Sequence, residues 1–239
     1  MKTSELAYAA DGVGMVGYLV RPAASPRPAV VIFPDAMGLS EGSRERAEQI
    51  AEELGVVALA SDLWGGGRTP AAPQEAMALV RDLKGNQQAM RTRAVAALQA
   101  LQELPCVDCD RVAAIGFCVG GTMAFELALT GARIQAAVGF HSGLRLSAPE
   151  EAHNVGAALL AIVGADDPSI TAEDRAAFES MFRGSGVDWQ LHILGGNVHA
   201  FTDKRASDIG RPDFARYDAQ AESRSWNAMK AFVAEKLAL

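Results

Sequence analysis

Apolar positions along the chain fall into short continuous runs, separated by longer stretches in which apolar residues recur every three or four positions. Two strand-like pieces open the sequence, around 3–9 and 15–20, divided by the turn signal D-G-V-G. P-A-V-V-I-F-P (28–34) is an uninterrupted apolar run, the pattern of a strand buried on both faces. The polar, amphipathic stretch 40–54 predicts a helix stopping at Gly55, and V-V-A-L-A-S-D-L (56–63) predicts the next buried strand. Helices are expected near 73–84 and 87–103, a strand over 111–117 and a helix over 119–129. Strands at 134–140, 157–164 and 188–194, with helices near 171–183 and 217–238, complete the alternation. Apolar strands alternating with helices imply an α/β fold, a mostly parallel sheet covered on both faces. No repeat and no linker rich in Pro, Gly and Ser interrupts the pattern, so one domain spanning 1–239 is expected.

Charge and cysteine usage narrow the functional classes. The net charge of −7, with Lys and Arg scattered, argues against a nucleic-acid partner. The apolar runs are too short to span a bilayer, which argues against a membrane role. The N-terminal M-K-T-S-E-L-A-Y has no apolar signal region, and the three cysteines are an odd number, so reduced thiols and a cytoplasmic location are expected. The pattern does not specify an oligomeric state; a monomer is compatible with it, with nothing that favours it.

One turn stands out chemically. In G-F-C-V-G-G, Cys118 sits between a strand and a helix, with glycine two positions away on each side and a third at Gly121. So sharp a turn needs glycines where strand and helix ends crowd, and it lifts the central side chain above the carboxyl end of the sheet. There a helix N-terminus favours a thiolate, and the Val119 N–H is free to face a developing oxyanion. The bland alternative is a buried structural cysteine. The motif lacks the Lys of a P-loop and the spacing of a dinucleotide fingerprint, so phosphate binding is the weaker reading.

A cysteine nucleophile needs a base, and the base an orienting acid. Of four histidines, His192 lies within a strand pattern, His153 in a polar loop, and His141 precedes the acid candidates. His199, in G-G-N-V-H-A-F after the strand 188–194, alone falls where the order nucleophile, acid, histidine requires. The acid is one of two neighbours in V-G-A-D-D-P, Asp166 or Asp167, either of which might instead cap a turn. The loop F-P-D-A-M-G-L-S after the third strand offers the Ala36 N–H as a second oxyanion donor. Asp35 in that loop reads as a turn cap or as a partner controlling the protonation of Cys118. Trp64 and Phe201 are candidate walls of an apolar substrate pocket, or ordinary core aromatics. Cys106 and Cys109 have a C-x-x-C spacing without the further ligands of a zinc site, so no metal and no cofactor are expected.

These segments together resemble the dienelactone hydrolase (carboxymethylenebutenolidase) family of α/β-hydrolase enzymes. The resemblance rests on P34-D35-A36-M37-G38-L39, D62-L63-W64, D110-R111-V112 through G116-F117-C118-V119-G120-G121, G164-A165-D166-D167 and H199-A200-F201. It implies an α/β-hydrolase fold and a Cys118–His199–Asp166 triad, with Asp166 as the orienting acid and an oxyanion hole from the Ala36 and Val119 N–H groups. The implied substrate is a small ester or lactone. The family usually carries Glu where this chain has Asp35, a carboxylate that holds the resting thiol until substrate binds. Members acting on dienelactone have an arginine just beyond the histidine, where this chain has Asp203, followed by Lys204 and Arg205. The rival expectation is a thiol redox sensor or ligand-binding protein on the same fold, without turnover.

Overall fold

In a computed structural model describing residues 1–22 and 26–239, eight strands form one sheet in the order β1-β2-β4-β3-β5-β6-β7-β8. The strands are β1 (Lys2–Ala10), β2 (Val13–Arg21), β3 (Arg27–Phe33), β4 (Val57–Ala60), β5 (Val107–Phe117), β6 (Ala136–Phe140), β7 (Ala158–Gly164) and β8 (Trp189–Leu194). β1 and β2 form an antiparallel hairpin, β2 pairs antiparallel with β4, and every later pairing is parallel. Parallel neighbours require crossovers: α1 (Glu41–Leu54) lies between β3 and β4, α2 (Pro73–Lys84) and α3 (Gln87–Gln102) between β4 and β5, α4 (Val119–Leu129) between β5 and β6, and α5 (Ala172–Phe182) between β7 and β8, while α6 (Ala219–Leu237) follows β8 and packs back on the sheet.

The alternating faces of each central strand divide between two cores. Val31, Phe33, Ala114 and Leu159 pack against α2, α3, α4 and α5, while Val30, Ile32, Ile115 and Leu160 pack against α1 and α6. α4 is buried along its whole length, which explains its apolar sequence. Its one charged residue, Glu126, is neutralised by Arg91 of α3 at 2.9 Å and accepts from Ser147 N–H at 2.9 Å. Among the described residues, no helix is long and apolar enough to cross a membrane.

Two segments differ from the sequence pattern. β4 ends at Ala60, because the Asp62 carboxylate gathers four main-chain N–H groups instead of continuing the ladder. Oδ1 accepts from Trp64 and Gly65, and Oδ2 from Val16 and Gly67, at 2.6–3.0 Å. β5 begins earlier than expected, so Cys109 lies exposed on that strand's outer extension rather than in a loop.

The crossing of β5 into α4 is the tightest point of the fold. A Cβ on Gly116 would lie 2.0 Å from the Gly120 carbonyl oxygen, and one on Gly120 would lie 2.1 Å from the Phe33 oxygen. Both obstacles are main chain and cannot step aside. Gly120→Ala should therefore destabilise the protein by more than about 3 kcal/mol or prevent folding. Gly156→Ala, where a Cβ would meet nothing within 4 Å, serves as control in urea denaturation.

Candidate active site

The carboxyl ends of the central parallel strands carry the chemistry. Cys118 occupies the turn itself, with φ of 53° and ψ of −120°, a conformation rare for a residue with a side chain. The turn is held by Cys118 N–H donating to the Phe140 carbonyl at 3.0 Å, and by Gly121 N–H donating back to the Cys118 carbonyl at 3.1 Å. Cys118 is half-buried, and its sulfur lies 3.1 Å from Nε2 of His199. Two further non-glycine residues with positive φ, His141 and Ala200, adjoin the same site. Backbone strain thus gathers where side chains must be aimed.

His199 is fixed on all sides. Its main chain pairs with the 214–216 segment, through N–H to the Phe214 carbonyl at 3.0 Å and its own carbonyl to Arg216 N–H at 3.1 Å. The Phe214 ring stacks on the imidazole at 5.4 Å, and the His141 ring meets it at 5.1 Å and 66°. Nδ1 points at Oδ2 of Asp167, 2.7 Å away.

The residue that meets His199 is therefore Asp167, not Asp166 as the resemblance implied. The reason lies in the main chain. Beyond β7 the backbone runs on beside the His199 loop, with Ala165 N–H donating to Leu194 and Asp166 N–H to Asn197, both at 2.9 Å. This pairing turns the Asp166 side chain out to solvent, and the next residue, before Pro168, turns inward. Burial opposes the Asp167 charge, but the His199 hydrogen bond and the Ser169 hydroxyl and amide outweigh it, holding the carboxyl below its ordinary range. Burial likewise opposes a charge on His199. The Cys118 sulfur and the Asp167 carboxylate reverse that balance and push the imidazole up to about 10. At neutral pH the arrangement can hold a proton on His199 beside the Cys118 sulfur.

Two amides near the Cys118 turn lack acceptors among the described residues. Val119 N–H is the first of α4 and lacks an intrahelical acceptor, and Ala36 N–H makes no hydrogen bond among the described residues. The loop bearing Ala36 is braced by Trp64, whose indole N–H donates to the Ala36 carbonyl at 3.1 Å. Asp62 shapes the turn that carries Trp64. That brace was not recognisable from composition or spacing.

Asp35 does not hold the thiol. Its carboxylate accepts from Met37 N–H at 2.8 Å, and the sulfur is engaged by His199 instead. Burial foremost, with Asp203 adding to it, raises the Asp35 pKa above the usual carboxylate range. Phe201 is no pocket wall either. It is fully buried in the α1–α6 core, edge-on to His141 at 5.1 Å. His141, read as outside the chain order, proves to be a buried neighbour of His199, its Nε2 paired with Thr202 Oγ1 at 2.8 Å. Burial and the His199 charge keep it well below its ordinary pKa. No cluster of three or more metal-ligating side chains occurs among the described residues.

A strained turn bearing Cys118 above a mostly parallel sheet, with histidine and aspartate on the loops after later strands, defines the α/β-hydrolase fold. The dienelactone hydrolase family profile matches residues 15–237, and the chain belongs to that family. A dienelactone hydrolase-like promiscuous phosphotriesterase from metagenomic libraries superposes with a TM-score of 0.93 at 39% identity, covering 98% of each chain. The carboxymethylenebutenolidase of Pseudomonas sp. strain P51 is 30% identical over 192 residues, 76% of this chain and 78% of its own. A probable 2-oxo-3-(5-oxofuran-2-ylidene)propanoate lactonase of Bradyrhizobium is 29% identical over 202 residues, 80% of each.

The His199 balance generates a prediction. Because its pKa is raised, the imidazolium persists at neutral pH and is lost only as pH climbs towards about 10. Iodoacetamide should alkylate Cys118 at pH 7 about tenfold faster in the native protein than in His199→Asn, because a free thiol is mostly protonated there. The gap should close above about pH 9, where an unassisted thiol ionises by itself. Asp167→Asn should slow alkylation at pH 7 and Asp166→Asn should leave it unchanged.

Proposed function

We propose that this protein hydrolyses small carboxylic esters or lactones through a covalent acyl–cysteine intermediate. The observation that carries this reading is the unbroken line from Cys118 Sγ to His199 Nε2 at 3.1 Å and from His199 Nδ1 to Asp167 Oδ2 at 2.7 Å. The Cys118 thiolate attacks the substrate carbonyl carbon, and the carbonyl electron pair moves onto oxygen. The Ala36 and Val119 N–H groups donate to that oxyanion. Collapse expels the alkoxide, which takes the proton from His199 Nε2 and leaves the acyl group on sulfur. His199, now neutral, removes a proton from water as the water attacks the thioester. The second tetrahedral intermediate expels the thiolate, restoring the ion pair and releasing the acid. Asp167 holds Nδ1–H throughout and steadies the imidazolium without accepting its proton.

Relatives named for lactone hydrolysis support the substrate class. The surroundings favour an uncharged ester over an anionic one. Asp203 stands close to the site, and Arg205 pairs with it while its guanidinium lies over Gly42 of α1, so that cation is not free to grip a substrate carboxylate.

Hydrolysis of p-nitrophenyl butyrate tests the reading. Cys118→Ala should lower kcat at least about 10³-fold, the scale seen when a nucleophile is removed. Intact-protein mass spectrometry during turnover should detect the butyryl adduct on the native chain. Full activity in the alanine variant overturns the mechanism. Rapid alkylation of Cys118 with no hydrolysis of any ester or lactone in a broad panel favours a thiol sensor instead.

A further inference from the structure

The Asp167 carboxylate has two oxygens, and His199 uses only one. Oδ1 accepts from the Ser169 main-chain N–H at 2.9 Å and from the Ser169 hydroxyl at 2.6 Å. The same hydroxyl oxygen lies 3.4 Å from His199 Nδ1. Its proton is committed to Oδ1, so a lone pair is what it presents to the ring N–H. Ser169 therefore touches both members of the Asp167–His199 pair. Yet it is exposed, on the wall of a cleft of about 470 Å³ that Thr122, Gly143 and Leu144 also line.

We propose that Ser169 is a positioning residue for the Asp167–His199 pair, its hydroxyl fixing the rotation of the carboxylate so that Oδ2 alone meets Nδ1. The inference rests on the proposed role of Asp167 as the orienting acid. Asp167 is fully buried at its side chain, and a carboxylate there keeps its charge only while donors surround it. His199, on the loop after β8, is the charged group that acts on it directly, and Cys118 lies beyond His199 on the β5–α4 turn. From α5, Arg175 is spent on the Ala165 and Ile170 carbonyls, and Asp174 pairs with Arg145. Asp166 points to solvent. No other side chain donates to Asp167 Oδ1 among the described residues. Without the Ser169 hydroxyl, Oδ1 keeps a single amide donor, the carboxylate can rotate, and its proton affinity rises.

Ser169→Ala and Ser169→Thr, both at an exposed position, provide the test. Two readouts are read against pH: the rate of Cys118 alkylation by iodoacetamide and kcat/KM for p-nitrophenyl butyrate. Loss of a hydrogen bond to a charged group corresponds to about tenfold. In Ser169→Ala, kcat and the alkylation rate at pH 7 should fall by about that factor, with KM unchanged. The acid limb of both profiles should shift to higher pH, because Asp167 protonates more readily. Ser169→Thr should restore the native profiles. Native profiles in the alanine variant overturn the proposal, as does a threonine variant as impaired as alanine. Alkylation does not depend on turnover. If no ester is hydrolysed but the alkylation profile still shifts, Ser169 keeps its positioning role and only the hydrolase reading fails.

Discussion

The turn from β5 into α4 exists because three glycines let main chain lie directly against main chain. Gly116 faces the carbonyl of Gly120, Gly120 faces the carbonyls of Phe33 and Pro34, and Gly121 faces Ser142 and Gly139. This contact draws the first turn of α4 against the ends of β3, β5 and β6. Cys118, at its apex, has little choice but positive φ. The same contact sets the distance between the Val119 and Ala36 amides, one on α4 and the other on the loop leaving β3. The placement of the proposed nucleophile and of the proposed oxyanion donors therefore follows from a single steric fit. A methyl group at any of these glycines would separate the layers that hold them.

The electrostatics then build outward from that sulfur. A thiol at a helix N-terminus already favours ionisation, and His199 across 3.1 Å supplies the counter-charge. His199 is buried, so its charge survives only because the Cys118 sulfur and Asp167 face it from either side, and Asp167 is buried, so its charge survives only through His199 and Ser169. Each group in the line is a poor ion by itself and a stable one in sequence. The rigid setting matters as much as the charges. Phe214 and His141 confine the imidazole, and the 214–216 segment pins its backbone. His141 stays neutral beside it, so no second cation competes for the same low-dielectric space.

Much of this was legible in the sequence because the relevant physics is local. Apolar runs bounded by turn residues marked the parallel strands, and the glycine spacing around Cys118 announced the tight turn before any contact was known. The order of Cys118, the aspartate pair and His199 followed from topology alone. What escaped was decided across the chain. Asp166 and Asp167 differ by one position, and only the pairing of 165–166 with 194–197 determines which side chain turns inward. Phe201 looks like a pocket aromatic beside His199, yet the positive φ at Ala200 swings the chain so that its ring enters the α6-side core. The Val16 amide held by Asp62 and the Trp64 brace on Ala36 join residues 46 and 28 positions apart, beyond the reach of any spacing argument.

Asp35 is the residue whose meaning changed most. A carboxylate beside two oxyanion donors should oppose a developing negative charge, and a gating role was one way to justify it. The structure gives a different physical account. Asp35 is bonded to the Met37 amide two residues on, so its geometry closes the loop that carries Ala36 rather than reaching the sulfur. Burial and the nearby Asp203 favour its neutral form. The more its charge is disfavoured, the less Asp35 opposes an oxyanion at the Ala36 N–H in the proposed reaction. On that account the shorter side chain serves the proposed reaction directly. A carboxyl long enough to compete with His199 for the thiol would require substrate to displace it first. One that is tied to its own loop leaves the Cys118–His199 pair assembled before substrate arrives.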